Sequence, residues 1–154
     1  MDAIQSVSAD TKPGSPQYWG PLLWRMYHLM AEIPIDSTQL KLWKHILHST
    51  ALVMPCEKCR EHLSHHLHTN PITEDVRKYL WNLHNQVNIR NESPTFSYEQ
   101  LSIYAIQEKH ATLLEIQELF KILQDTWKPL THITHYPVAY NDWKKYIMML
   151  LRIL

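Results

Sequence analysis

Two glycines, Gly14 and Gly20, are all that this chain carries, and that scarcity limits its fold more than any other feature. Glycine supplies the positive-φ positions on which tight hairpins depend. No run of alternating apolar and polar residues marks a half-buried strand, while Leu, His and Trp recur at helical spacing. The chain therefore reads as all-α. The same scarcity excludes a Gly-x-Gly-x-x-Gly turn and a P-loop. A nucleotide cofactor would have to be held by side chains.

Prolines and capping residues divide the chain. Residues 1–17 read as a disordered arm. The pattern predicts helices over Trp19–Ala31, ended before Pro34, and over Thr38–Met54, with N-cap candidates in Asp36-Ser37-Thr38. A third runs from Pro55 to about Asn70-Pro71, and a fourth covers Glu74–Asn91 after Thr73-Glu74-Asp75. Ser97–Lys109, Ala111–Trp127 and Tyr140–Leu154 complete the set, with 128–137 as a loop. Leu42, Trp43, Ile46, Leu47, Thr50 and Val53 form a core stripe on the second helix. Trp143, Ile147, Leu150, Leu151 and Leu154 form one on the last, suited to packing on the core or to a partner. Lys and Arg total 15, matched by 15 Asp and Glu, so no basic footprint for nucleic acid exists. No apolar run reaches ~18 residues, so no membrane span is expected. Met1–Pro16 lacks an apolar signal core, which makes the cytoplasm the expected location.

The chemistry starts at Pro55-Cys56-Glu57-Lys58-Cys59, which holds both cysteines of the chain. Proline at a helix start loses no useful N–H. A helical i, i+3 pair has Cβ atoms about 5–6 Å apart, so a modest adjustment closes a disulfide. The positive end of the helix would favour the Cys56 thiolate. Two cysteines are too few for a disulfide scaffold, which leaves a redox pair or a metal site. His62, His65, His66 and His68 keep zinc open as an alternative, and with it a non-enzymatic binding or interaction module. Ligands on one short helix rarely reach tetrahedral geometry, however, so no metal is assigned.

Trp81, His84, Asn85 and Asn88 share a face of the fourth helix, and Trp24 and His28 share one of the first. Indole, imidazole and carboxamide are costly to bury unpaired. Either the fold pairs them internally, as a capped core, or an aromatic heterocycle with donors and acceptors pairs them. A flavin or an adenine has those properties.

Three segments together resemble the Erv/ALR FAD-linked sulfhydryl oxidases. They are Trp19-Gly20-Pro21-Leu22-Leu23-Trp24-Arg25-Met26-Tyr27-His28, the Pro55–Cys59 segment, and Trp81-x-x-His84-Asn85-x-Val87-Asn88. They occur in the family's order over about Trp19–Tyr104, and look most like the versions carried by large DNA viruses. The resemblance implies a four-helix-bundle FAD-binding core with a short fifth helix (residues 18–109), a C-terminal helical extension (110–154) and a homodimer. It implies a thiol oxidase that makes disulfides in dithiol protein substrates, its electrons passing to FAD and then to O2 with release of H2O2. It makes Cys56 the exchanging cysteine and Cys59 the one beside the flavin. It places Trp19, Gly20, Trp24, His28, Trp81, His84, Asn85, Val87, Asn88 and Tyr98 around FAD. Arg90 takes the place of the family's phosphate-binding lysine, which is absent. The family's shuttle cysteine pair is also absent. Substrate must then reach Cys56 directly or through a small relay dithiol protein.

Overall fold

The computed structural model describes residues 12–130 and 137–154. Six α-helices follow in order: α1 Pro16–Ala31, α2 Ser37–Val53, α3 Glu57–Thr69, α4 Val76–Arg90, α5 Lys109–Trp127 and α6 Pro137–Ile153. Short 3-10 segments cover Tyr98–Tyr104 and Lys128–Leu130. No strand occurs among the described residues. The all-α expectation holds.

Local chemistry sets most boundaries. Pro16 opens α1, two residues inside the segment expected to be an arm. The disorder expected for residues 1–11 lies outside the described residues. Pro21 sits within α1, where it removes the bond to the carbonyl of Gln17, an exposed residue whose oxygen can turn to water. Asp36 and Gln39 form a reciprocal capping box at α2, with bonds of 2.9 and 2.7 Å. Asp75 caps α4 through the Lys78 amide at 3.0 Å. Glu108 accepts from the amides of His110 and Ala111, which starts α5 at Lys109 and not at Ala111 as expected. That cap also shortens the expected Ser97–Lys109 helix to a 3-10 segment. Leu101 and Tyr104 are both buried there, three residues apart, which is the 3-10 repeat. Pro137 opens α6 three residues before the expected start. Of the expected loop 128–137, residues 131–136 lie outside the described set.

In the tertiary arrangement α1 packs on α4 and α5, and α2 on α3 and α6, and one hydrophobic core takes in residues of all six helices. Trp143, Ile147 and Leu150 of α6 are fully buried, as are Trp43, Ile46 and Leu47 of α2. The last helix therefore spends its apolar stripe within the chain. A buried polar thread runs through this contact. Trp143 Nε1 donates to Tyr27 Oη at 2.9 Å, and Tyr27 Oη bonds Thr50 Oγ1 at 2.6 Å. Thr50 Oγ1 also reaches the Ile46 carbonyl, so three helices share one set of satisfied hydroxyls. Burial drives the Tyr27 phenol well above the usual tyrosine range and keeps it a neutral donor. Two ion pairs brace the rim, Arg25–Glu115 between α1 and α5 and Arg77–Glu32 from α4 to the residue capping α1, both at 2.5 Å.

Candidate active site

Cys56 is the N-cap of α3 and not a helical residue, and the helix begins at Glu57, not at Pro55 as expected. The extended backbone of Cys56 (φ −157°, ψ 106°) turns the side chain over the helix mouth. There Sγ accepts the backbone N–H of Cys59 at 3.2 Å, the bond a serine or aspartate cap would make. The two cysteines are joined in a disulfide, with Cα atoms 5.2 Å apart. Arg60 clamps the entry to the helix by donating Nη1 to the Met54 carbonyl at 2.6 Å. Both cysteines are half-buried and lie against the hydrophobic core. With both sulfurs in the disulfide, neither is a thiolate ligand, and no three His, Cys, Asp or Glu side chains converge among the described residues.

The aromatic stripes of α1 and α4 meet face to face. The Trp24 indole stacks on the His84 imidazole at 4.1 Å, nearly parallel. His28 bonds His84 through Nε2 and Nδ1 at 2.9 Å and stacks on Tyr104 at 4.6 Å. Phe96 closes the cluster edge-on to both imidazoles. His28 and His84 are 1% and 3% exposed. Burial holds each at about 3, aided for His28 by its neighbour His84 and by Arg77. Both rings are neutral at pH 7, so one donates the proton that the other accepts.

The polar groups of the α4 stripe divide into two classes, and this corrects the idea that a heterocycle is needed to pair all of them. Asn85 clasps the backbone of Phe96, with Nδ2 to its carbonyl at 2.9 Å and Oδ1 from its amide at 3.0 Å. Trp81 Nε1 donates to the same carbonyl at 2.9 Å, and Tyr98 stands edge-on to Trp81. These residues tie the segment after α4 back onto the helix. Asn88 differs: it is buried, and its Nδ2 has no partner. A buried unpaired amide is a donor waiting for an acceptor.

Other expected site residues stand apart. Trp19 lies edge-on to Trp127 of α5 at 5.2 Å and donates Nε1 to the Gly14 carbonyl, so it seats α5 on α1. A Cβ added at Gly20 would meet nothing within 4 Å, so internal packing does not require glycine there. Val87 is half-buried on α4. Arg90 is exposed at the last turn of α4, toward α3. Burial, then the Arg90 charge, holds His62 and His66 below the usual histidine range. The sequence reading missed Phe96 and Tyr104. The one available signal was a lone aromatic, Phe96, between Pro94 and the cap Ser97.

The Erv1/Alr family model matches residues 21–109. Two proteins called FAD-linked sulfhydryl oxidase, from African swine fever virus isolates of a Kenyan pig and a Namibian warthog, are each 30% identical over 93 residues. That stretch covers 54% of this chain and 76% of each relative. No solved structure matches the chain. The family match spans more than half of the sequence and takes in both cysteines and the whole ring cluster between α1 and α4, so this chain belongs to the Erv1/Alr family.

Proposed function

We propose that this protein is an FAD-dependent thiol oxidase that forms disulfides in dithiol protein substrates through Cys56 and Cys59, with O2 as final acceptor and H2O2 as product. One observation carries the reading. A closed, half-exposed disulfide at a helix start packs on the same core as a neutral ring cluster that retains one unpaired buried donor, Asn88 Nδ2. That donor and the half-buried, uncharged indole of Trp24 fit an aromatic heterocycle rich in acceptors, with His84 and His28 stacked behind that indole as its support. Trp81, Asn85, Val87 and Tyr98 would form its wall, with Gly20 at the start of α1 and Arg90 as a cation for its phosphates. Bound FAD would supply two-electron acceptance from a dithiol and reoxidation by dioxygen.

The chain's own residues do the exchange. A substrate thiolate attacks Cys56 Sγ, the Cys56–Cys59 bond breaks, and Cys59 leaves as thiolate. The second substrate thiol attacks the substrate sulfur of the mixed disulfide, and Cys56 leaves as thiolate. The Cys59 amide and the positive end of α3 face that departing sulfur and stabilise it, which speeds product release.

The purified protein should be yellow, and should consume oxygen and release peroxide when given dithiothreitol. A colourless preparation that binds stoichiometric zinc would overturn the reading. Cys59→Ser should trap a mixed disulfide with a dithiol protein and Cys56→Ser should not; equal trapping would reverse or remove the two roles. A homodimer is part of the proposal, to be checked by sedimentation: a species near twice the 18.4 kDa chain is expected. A cytoplasmic location, at a viral assembly site or elsewhere, belongs to it too. No helix among the described residues is long and apolar enough to cross a membrane. Residues 18–109 would be the catalytic unit and 110–154 an extension that stabilises it.

A further inference from the structure

Positive charge gathers on the two helices α2 and α6. They lie antiparallel: Gln39, near the start of α2, donates Nε2 to the carbonyl of Ile153, at the end of α6, at 3.4 Å. At mid-length His45 of α2 stacks on Tyr146 of α6 at 4.6 Å, and Lys145 Nζ stands 4.7 Å from the centre of the same ring. That contact joins the outer side of one helix to the outer side of the other. Lys41 and Lys44 flank His45 on the exposed side of α2, which holds no acid. On α6, Lys144, Lys145 and Arg152 stand against one acid, Asp142. The two helices therefore carry +4 in a chain whose formal net charge is zero. Asp142 lies 3.8 Å from Lys145; among the described residues no ion pair engages the other four cations. Lys144, Lys145 and Arg152 line an open depression of about 220 Å³ with Met148 and Met149, all on this one helix. Both methionines are exposed, as is Leu52 on the outer side of α2.

We propose that this face rests on an anionic lipid bilayer and holds the protein at a membrane surface without spanning it. Charge complementarity carries the argument: an uneven set of five cations and one acid, joined across two helices, matches a negatively charged surface. The apolar tips interleaved with the cations suit the headgroup boundary, where Lys and Arg stems lie along apolar surface and lift their charges to water. A second copy of the chain does not fit, because a two-fold axis through this face would set the five cations against the same five. A folded protein partner anchors itself through side chains seated in pockets, and the depression on α6 is open and walled by a single helix. The main apolar stripe of α6 is already buried against α2, so only Met148, Met149 and Leu52 are left to enter the bilayer. Charge therefore dominates the attachment, and salt should weaken it. None of these residues belongs to the disulfide or to the ring cluster, so the inference stands independently of the thiol-oxidase reading.

The test is co-sedimentation of the full-length protein with vesicles of phosphatidylcholine alone, or of phosphatidylcholine with about 30% phosphatidylserine. The anionic vesicles should bind at least about tenfold more tightly, and raising the salt from roughly 0.05 to 0.5 M should remove most of that advantage. Replacing both Lys144 and Lys145 by Gln should weaken binding about thirtyfold, at about fivefold for each cation. Met148→Ser with Met149→Ser should weaken it about threefold. Replacing two exposed cations of α5, Lys109 and Lys121, by Gln should leave it close to the parent value. All of these positions lie outside the buried core, and each variant should keep the parent's urea midpoint. Equal binding of the parent to both vesicles, or none to the anionic ones, would overturn the proposal without any variant. So would a loss in the α5 variant as large as that in the α6 variant, since net charge and not this face would then be responsible. Binding to soluble polyglutamate in place of anionic vesicles would assign the face to an acidic protein and overturn the membrane reading.

Discussion

Acidification should unfold this protein through the ring cluster. His28 and His84 are buried, hydrogen-bonded to each other and held at about 3, against the ordinary 6.5 of an unfolded imidazole. The sign follows from proton uptake. Below pH 6.5 the unfolded chain binds protons that the folded chain refuses, so stability is complete above 6.5 and falls as pH drops toward 3. At pH 5 each unfolded imidazole gains roughly 2 kcal/mol from its proton, and the two together roughly 4 kcal/mol. Domains of this kind have only about 5–15 kcal/mol in total. Urea midpoints at pH 7.5 and 5, read at fixed flavin loading, should differ by that amount. A His84→Gln chain should lose about half of the difference. Carbon-13 titration of the imidazoles gives the direct check: neither native ring should move near pH 6.5. Coincident midpoints, or a native ring titrating at its ordinary value, would refute the reasoning.

Three other outcomes follow from particular contacts. Asn88→Leu should leave the urea midpoint within about 1 kcal/mol of the parent, because Nδ2 has no internal partner to lose. It should still weaken flavin binding in an equilibrium titration, whereas Asn85→Leu should lower the midpoint itself by roughly 2 kcal/mol through the lost Phe96 clasp. Glu92 sits at φ 56° in the left-handed turn that ends α4, where its amide bonds the Ile89 carbonyl and the Ser93 amide bonds that of Asn88. Glu92→Gly should therefore stabilise by about 1 kcal/mol, measured by the urea midpoint. Trp143→Ala should cost roughly 3–5 kcal/mol in thermal or urea unfolding, since it empties a fully buried indole site and removes the bond to Tyr27.

Much of the fold was legible along the chain. Asp36, Asp75, Pro16 and Glu108 act locally, over one turn, so the starts of α1, α2, α4 and α5 follow from neighbouring residues. Where the reading slipped, a nearby residue competed. The carboxylate of Glu108 caps α5 and ends the segment before it, and Pro137 initiates α6 ahead of Tyr140. The site was half legible. Helical spacing places Trp24 with His28, and His84 with Asn85 and Asn88, on shared faces. It does not say what those faces meet.

By itself the sequence determined the all-α class, the closable Cys56–Cys59 pair at a helix start and the stripes of rings and amides, because each depends on residues within one or two turns. Only the tertiary structure decided how those groups are used. The segment around Phe96 folds back and takes the hydrogen bonds of Trp81 and Asn85, so of the α4 stripe's amides and indole, Asn88 is the one that keeps a buried donor unpaired; elsewhere among the described residues the Trp43 and Trp127 indoles do the same. Trp19, five residues before Trp24, turns to Trp127 and away from the ring cluster. The stripe of α6 closes on α2. These outcomes rest on pairings across many residues, from Trp81 with Phe96 to Tyr27 with Trp143. A local pattern states which side chains share a face; burial and hydrogen-bond satisfaction across the whole chain choose the surface each face meets.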